Sequence, residues 1–256
     1  MKKHENLGRK LREKKQVIAT NLVLVNSAPL LELINEDYLD CVILDMEHGI
    51  FNNETIVPLL QVSRLIDLPA IVRVPEASSH HIARCMDLGA FGIMIPRTET
   101  VEQVALAVDS MFFPPIGHKG RGGYRQLRDG ETIADYQKNR HLLLQIESTT
   151  GIENLPRMID TYGEQISAIV IGPYDLSISV GHCQEFEHPD FLGAVQRIFD
   201  ICKEKGVSYG IFCDSKAQAE KWRSAGANFL WMCTDDQLIL AGMRAHLKPI
   251  AETEVE

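Results

Sequence analysis

The sequence predicts an α/β protein: a single (β/α)8 TIM barrel preceded by one extra N-terminal helix. Three observations carry this. Eight short apolar runs recur along the chain, and a segment of helical spacing follows each of them. Several runs are apolar without alternation, as strands buried on both faces are. The length, 256 residues with 45% hydrophobic, suits eight βα units around one core.

The strand-like runs are 17–25, 41–45, 70–75, 91–96, 141–147, 166–171, 207–213 and 228–233. Helical spacing is expected over 29–35, 55–66, 78–88, 100–111, 132–140, 154–162, 190–205, 215–225 and 235–246. Ser78 or Ser79 can cap the third of these, and Gly89 sits where a left-handed stop belongs. Residues 1–16 are basic with no apolar stretch behind the charges, so they read as a solvated first helix and not as a signal peptide. The acidic tail 251–256 is expected to fray. With no linker or low-complexity stretch, 1–256 reads as one domain.

The formal net charge of −9 argues against a nucleic-acid partner. No apolar run approaches ~18 residues, which argues against a membrane span. Six cysteines without a CxxC pair read as reduced thiols of a cytoplasmic protein, not a disulfide framework or a zinc site.

Ionisable and polar residues collect where the apolar runs stop: Asp45, Glu47 and His48 after the second, Arg73 in the third, Arg97 after the fourth, Gln145 and Glu147 on the fifth, and Gly172, Pro173 and Asp175 after the sixth. In a barrel these ends share one rim. The fifth and sixth runs, joined by a helical segment, are parallel neighbours, which brings Glu147 and Asp175 to the same edge. Two carboxylates there fit a hard divalent cation that keeps several waters. Taken singly, each also fits a salt bridge or a turn cap. Arg73 can pair with Asp45 or stabilise developing negative charge. His48 can be a loop histidine or an acid/base, with Asp45 three residues before it. No lysine lies in any strand run, which disfavours a Schiff-base aldolase. The longest irregular stretch, 113–124, lacks GxxxxGK[ST] spacing and reads as a lid or substrate loop.

Taken in order, Asp45-x-Glu47-His48-Gly49, Val72-Arg73-Val74-Pro75, Leu88-Gly89-Ala90-Phe91-Gly92-Ile93-Met94-Ile95-Pro96, Phe113-Pro114-Pro115-x-Gly117, Gln145-Ile146-Glu147 and Gly172-Pro173-x-Asp175-Leu176-Ser177 resemble the HpcH/HpaI aldolase family, the class II pyruvate aldolases. The resemblance runs from about residue 11 to residue 246. It implies that Glu147 and Asp175 hold a divalent metal (Mg²⁺, Mn²⁺ or Co²⁺) that chelates the carboxylate and keto oxygens of a pyruvate-like substrate. Arg73 would stabilise the enolate, and His48, oriented by Asp45, would be the acid/base. Gln145 would assist at the metal or its water, and backbone amides around Gly172 and Pro173 would bind the substrate carboxylate. It further implies a homo-oligomer, from dimer to hexamer, whose last helix is exchanged between subunits.

The second substrate is an aldehyde on this reading. An alternative is condensation of oxaloacetate with acetyl-CoA, as in members that resemble siderophore-pathway citrate synthases; the cations His118, Lys119, Arg121, Arg125 and Arg128 motivate it. A third is a non-catalytic barrel that binds a keto acid. Two departures from the family pattern bear on the second substrate: the first strand reads Ala19-Thr20-Asn21-Leu22 where many members carry tryptophan, and Lys119 stands where many carry arginine.

Overall fold

Eight parallel strands close on themselves: β1 (Val17–Leu22), β2 (Cys41–Asp45), β3 (Ala70–Arg73), β4 (Gly92–Ile95), β5 (His141–Ile146), β6 (Ile166–Ile171), β7 (Ser208–Cys213) and β8 (Phe229–Thr234), in sequence order around the barrel. This computed structural model describes residues 2–251. The expected frayed tail lies outside the described residues from 252 onward. The helices are α1 (Lys3–Arg12), α2 (Ala28–Leu33), α3 (Ile56–Leu65), α4 (Ser79–Leu88), α5 (Val101–Met111), α6 (Ile133–Asn139), α7 (Thr149–Tyr162), α8 (Pro173–Ser179), α9 (Pro189–Lys205), α10 (Lys216–Ser224), α11 (Asp235–His246) and α12 (Lys248–Ala251).

The continuous apolar runs are explained by two cores. One row of each strand fills the barrel: Val17, Ala19, Ile43, Ile71, Met94, Leu143, Val170, Phe212, Phe229 and Trp231 pack together there. The other row packs against the helices. The first helix is part of the inner core rather than an appendage. Leu7 and Leu11 of α1 belong to the inner cluster and close the end where the strands begin. Burying each contributes about 1.5–3 kcal/mol. Ser208 Oγ donates to the Leu11 carbonyl at 2.7 Å, tying the plug to β7.

Helix ends follow the expected caps where a local signal exists. Ser78 Oγ accepts the His81 N–H at 3.3 Å, and Gly89 stops α4 at φ 104°. The boundaries that differ from expectation have local causes. β1 ends at Leu22, not at Val25, because the Asp235 carboxylate takes the N–H groups of Val23, Leu24 and Val25 at 3.0, 3.1 and 2.6 Å in place of a ladder partner. α7 begins at Thr149, five residues early, because Ser148 Oγ accepts the Gly151 N–H at 3.0 Å. Gly151 and Pro156 had hidden its helical pattern. The short helix α8 was not expected. Proline in its first turn starts it, so Asp175 sits in a helical turn and not on a strand end.

Candidate active site

The inward row of each strand continues past the apolar core into polar residues at the C-terminal rim. Ala19 is followed by Asn21, Ile43 by Asp45, Ile71 by Arg73, Leu143 by Gln145 and Glu147, and Val170 by Gly172. They enclose a cavity of about 320 Å³. All eight residues singled out from the sequence line it: Asp45, His48, Arg73, Gln145, Glu147, Gly172, Pro173 and Asp175.

Arg73 is its centre, 7% exposed. Nε donates to Asp45 Oδ1 at 2.9 Å and Nη2 to Asp45 Oδ2, a bidentate pair. Nη1 donates to Gln145 Oε1 at 3.3 Å and lies 3.1 Å from Glu47 Oε2. The guanidinium stands 5.3 Å from the Trp231 ring centroid. Burial alone would lower the arginine pKa, but the Asp45, Glu47 and Glu147 carboxylates outweigh it and push it up. The cation is therefore permanent.

Asp45 reaches His48 through the backbone. Its Oδ1 accepts the N–H groups of Glu47 at 2.9 Å and His48 at 3.2 Å. Asp45 thus holds the His48 backbone and not its ring: its carboxylate is occupied by Arg73, while the His48 side chain, 55% exposed, stands at the rim with Nε2 3.6 Å from Glu47 Oε1. Gly49 permits this turn, since a Cβ there would collide with the Asp45 carbonyl oxygen. Glu47, read from the sequence as a supporting residue, bridges Arg73, His48 and Arg97, the last at 3.5 Å. Burial holds its carboxyl above the usual range despite Arg73.

Glu147 is 3% exposed. Oε1 accepts the Arg97 N–H at 2.8 Å, and Oε2 accepts from Gln145 Nε2. Gln145 thus links the guanidinium to the carboxylate. Burial pushes the Glu147 pKa up to about 7, helped by the like charges of Asp175 and Glu47. Asp175, in the first turn of α8, makes no hydrogen bond among the described residues. Gly172 lies against Glu147 and Gln145: a Cβ there would overlap Glu147 Oε2 and lie 2.7 Å from Gln145 Nε2, displacing both side chains. Two neighbouring carboxylates facing a cavity, one almost free of protein partners, are a donor set for a hard divalent cation.

Sequence reasoning missed Trp231 and Phe212, which form the opposite wall. Trp231, on the neighbouring strand β8, lies in register with Ala19 of β1. The two-residue step from Phe229, an inward residue, was the signal that could have placed it. The cations of the long loop lie elsewhere. Lys119 is buried and donates to Asp87 Oδ1 at 2.6 Å, His118 pairs with Asp109, and Arg128 lies 3.2 Å from Asp67. Another group of metal-ligand types, His182, His188 and Asp190, has local roles: His188 caps α9, and His182 Nε2 lies 3.1 Å from Asp190.

Comparison with known proteins identifies the family and the fold. A 5-keto-4-deoxy-D-glucarate aldolase of Escherichia coli (strain K12) is 33% identical over 218 residues, 84% of this chain and 83% of its own length. The crystal structure of an HpcH/HpaI aldolase from Desulfitobacterium hafniense DCB-2 superposes with a TM-score of 0.88 at 26% identity, covering 96% of both chains. Citrate synthase SbnG superposes with a TM-score of 0.83 over 96% of this chain and 97% of its own, and at 23% identity it speaks to the fold alone. The family model described as HpcH/HpaI aldolase/citrate lyase matches residues 23–241, and this chain belongs to that family.

Proposed function

We propose that this carbon–carbon lyase of the metal-dependent aldolase type makes or cleaves a 2-keto acid through the enolate of pyruvate. The observation that carries the reading is the pair of adjacent carboxylates, Glu147 and Asp175, beside the buried Arg73 guanidinium. Glu147 and Asp175 would hold a divalent cation, with Mg²⁺, Mn²⁺ and Co²⁺ the candidates for such oxygen donors. When bound, the cation supplies positive charge that stabilises an enolate oxygen.

The chain's own residues supply the rest. Arg73 donates to the keto oxygen and retains its hydrogen bonds as charge develops there, because Asp45 fixes its fork before substrate arrives. Gln145 holds Glu147 in place. Pro173 has no N–H, so the amides that receive the substrate carboxylate are those of its neighbours in the turn. In cleavage, His48 takes the proton of the substrate hydroxyl, the carbon–carbon bond breaks, and the electron pair passes to the enolate oxygen. Protonation of the enolate carbon then releases pyruvate.

Deuterium exchange of the pyruvate methyl group, followed by NMR on metal-stripped protein with and without Mg²⁺ or Mn²⁺, tests this. Metal-dependent exchange that is lost in Arg73→Ala is the expected result; no exchange with metal present counts against an enolate of pyruvate. An aldehyde is favoured over acyl-CoA as the partner, because Lys119, His118 and Arg128 already face carboxylates.

Along α11 and α12, Leu238, Ile239, Leu240, Met243, Leu247 and Ile250 are 45–74% exposed, beside an apolar cavity of about 340 Å³ lined in part by Leu22, Leu30, Ile34 and Met232. This supports a homo-oligomer that exchanges its last helix, a mass that analytical ultracentrifugation measures. No helix among the described residues is long and apolar enough to cross a membrane. The free cysteines support a cytoplasmic setting.

A further inference from the structure

The enolate chemistry leaves one wall of the cavity unused, the wall built by β1 and β8. Asn21 is 2% exposed, its Oδ1 is buried without a donor, and its side chain makes no hydrogen bond among the described residues. Trp231 is also 2% exposed, and its Nε1–H is buried without an acceptor. Both line the cavity. They come from neighbouring strands, Asn21 opposite Thr234 and Ala19 opposite Trp231. Buried polar side-chain atoms are paired with few exceptions, so two unpaired ones on a single wall of a substrate cavity point to a polar group of the ligand. One is an acceptor and the other a donor. Their complement is a hydroxyl, which can give one hydrogen bond and take another. The methyl group of an acetyl thioester can do neither.

We infer that Asn21 and Trp231 are the specificity-determining pair for the electrophile, reading a hydroxyl beside its carbonyl carbon: the hydroxyl donates to Asn21 Oδ1 and accepts from Trp231 Nε1. The inference rests on the aldolase reading above and deepens it. Its geometry joins the two halves of the site, because the same indole lies under the Arg73 guanidinium. A hydroxyl bound there holds the aldehyde carbon on the side of the cavity where the enolate is stabilised.

The test compares kcat/KM for glycolaldehyde and for propionaldehyde, which has a methyl in place of the hydroxyl, each with pyruvate and Mg²⁺ or Mn²⁺. Wild-type protein is expected to prefer glycolaldehyde by about 10- to 100-fold. Asn21→Leu and Trp231→Phe are each expected to pull that ratio toward one. The ratio is an internal control, since a variant that folds poorly or forms less enolate loses rate on both aldehydes alike. A wild-type ratio near one, or a ratio unchanged in both variants, overturns the assignment. Absence of pyruvate methyl exchange in the wild-type protein is a separate result, which overturns the aldolase reading beneath it.

Discussion

The two ends of the barrel hold cavities of similar size, about 320 Å³ at the mouth and about 390 Å³ at the floor, and both are lined by polar and charged side chains. They differ in how charge is matched. At the floor, opposite charges meet. Arg140 donates twice to Glu131 at 2.8 Å, and Lys10 lies 2.6 Å from Asp40. Burial works to raise the Glu131 carboxyl pKa, but Arg140 holds it below the usual range. His141 carries no charge at all, because burial drives its pKa down to about 3. At the mouth, burial pushes the Glu147 pKa up to about 7, and the Asp175 and Glu47 carboxylates add to the rise. Charge alone therefore does not mark a site in this molecule. Unresolved conflict between charges does, as expected where a fold gives up stability for chemistry.

The sharpest way to break this comparison is to relieve the conflict. Glu147→Ala or Asp175→Ala is expected to cut metal-dependent methyl exchange by about 1000-fold or more. Full exchange in both variants would sink the metal assignment. Glu147→Gln is expected to melt no lower than wild type when both are metal-free, since it removes a buried like charge.

At the floor the same operation should act in reverse. Arg140→Met leaves Glu131 buried and unpaired and is expected to cost about 3–5 kcal/mol in urea unfolding. Arg140→Met with Glu131→Leu should recover most of that loss, and failure to recover would mean that packing, not charge, holds this pair.

The smallest effect is a pH dependence. Burial depresses the folded-state pKa of His141 below the ordinary histidine value of about 6.5, so its neutral form contributes stability above that pH. That stability is lost as pH falls toward about 3, the unfolded chain binding the proton first. At pH 5 the loss is about 2 kcal/mol. His141→Gln should flatten the fall in stability between pH 7 and pH 5 by about that amount, and an unchanged slope would assign the acid sensitivity to other groups.

The sequence was informative where one residue's environment is set by its own strand. β2 and β6 are bounded by the same residues in both readings, because an apolar run buried on two faces has to stop where polarity begins. The eight expected site residues meet in one cavity for the same reason. What sequence could not supply is choice among partners. Asp45 had both a nearby histidine and a distant arginine to serve; it takes the guanidinium 28 residues away and only the backbone of His48. Lys119, His118 and Arg128 likewise find carboxylates on α4, on α5 and just beyond α3, away from the mouth. Trp231 was hidden because a tryptophan in an apolar run looks like core until the strand's parity is fixed.

Closure of the floor by Leu7 and Leu11 has a kinetic consequence. With that end plugged, traffic uses the mouth alone. Arg73, Gln145 and Glu147 lie deep, at 7%, 2% and 3% exposure, while His48 stands at the rim. Keto acid and aldehyde must therefore both pass His48 through one opening, since Asn21 and Trp231 are buried as deeply as Arg73. Turnover is expected to follow an ordered sequence, and product-inhibition patterns with pyruvate and with the aldehyde check it.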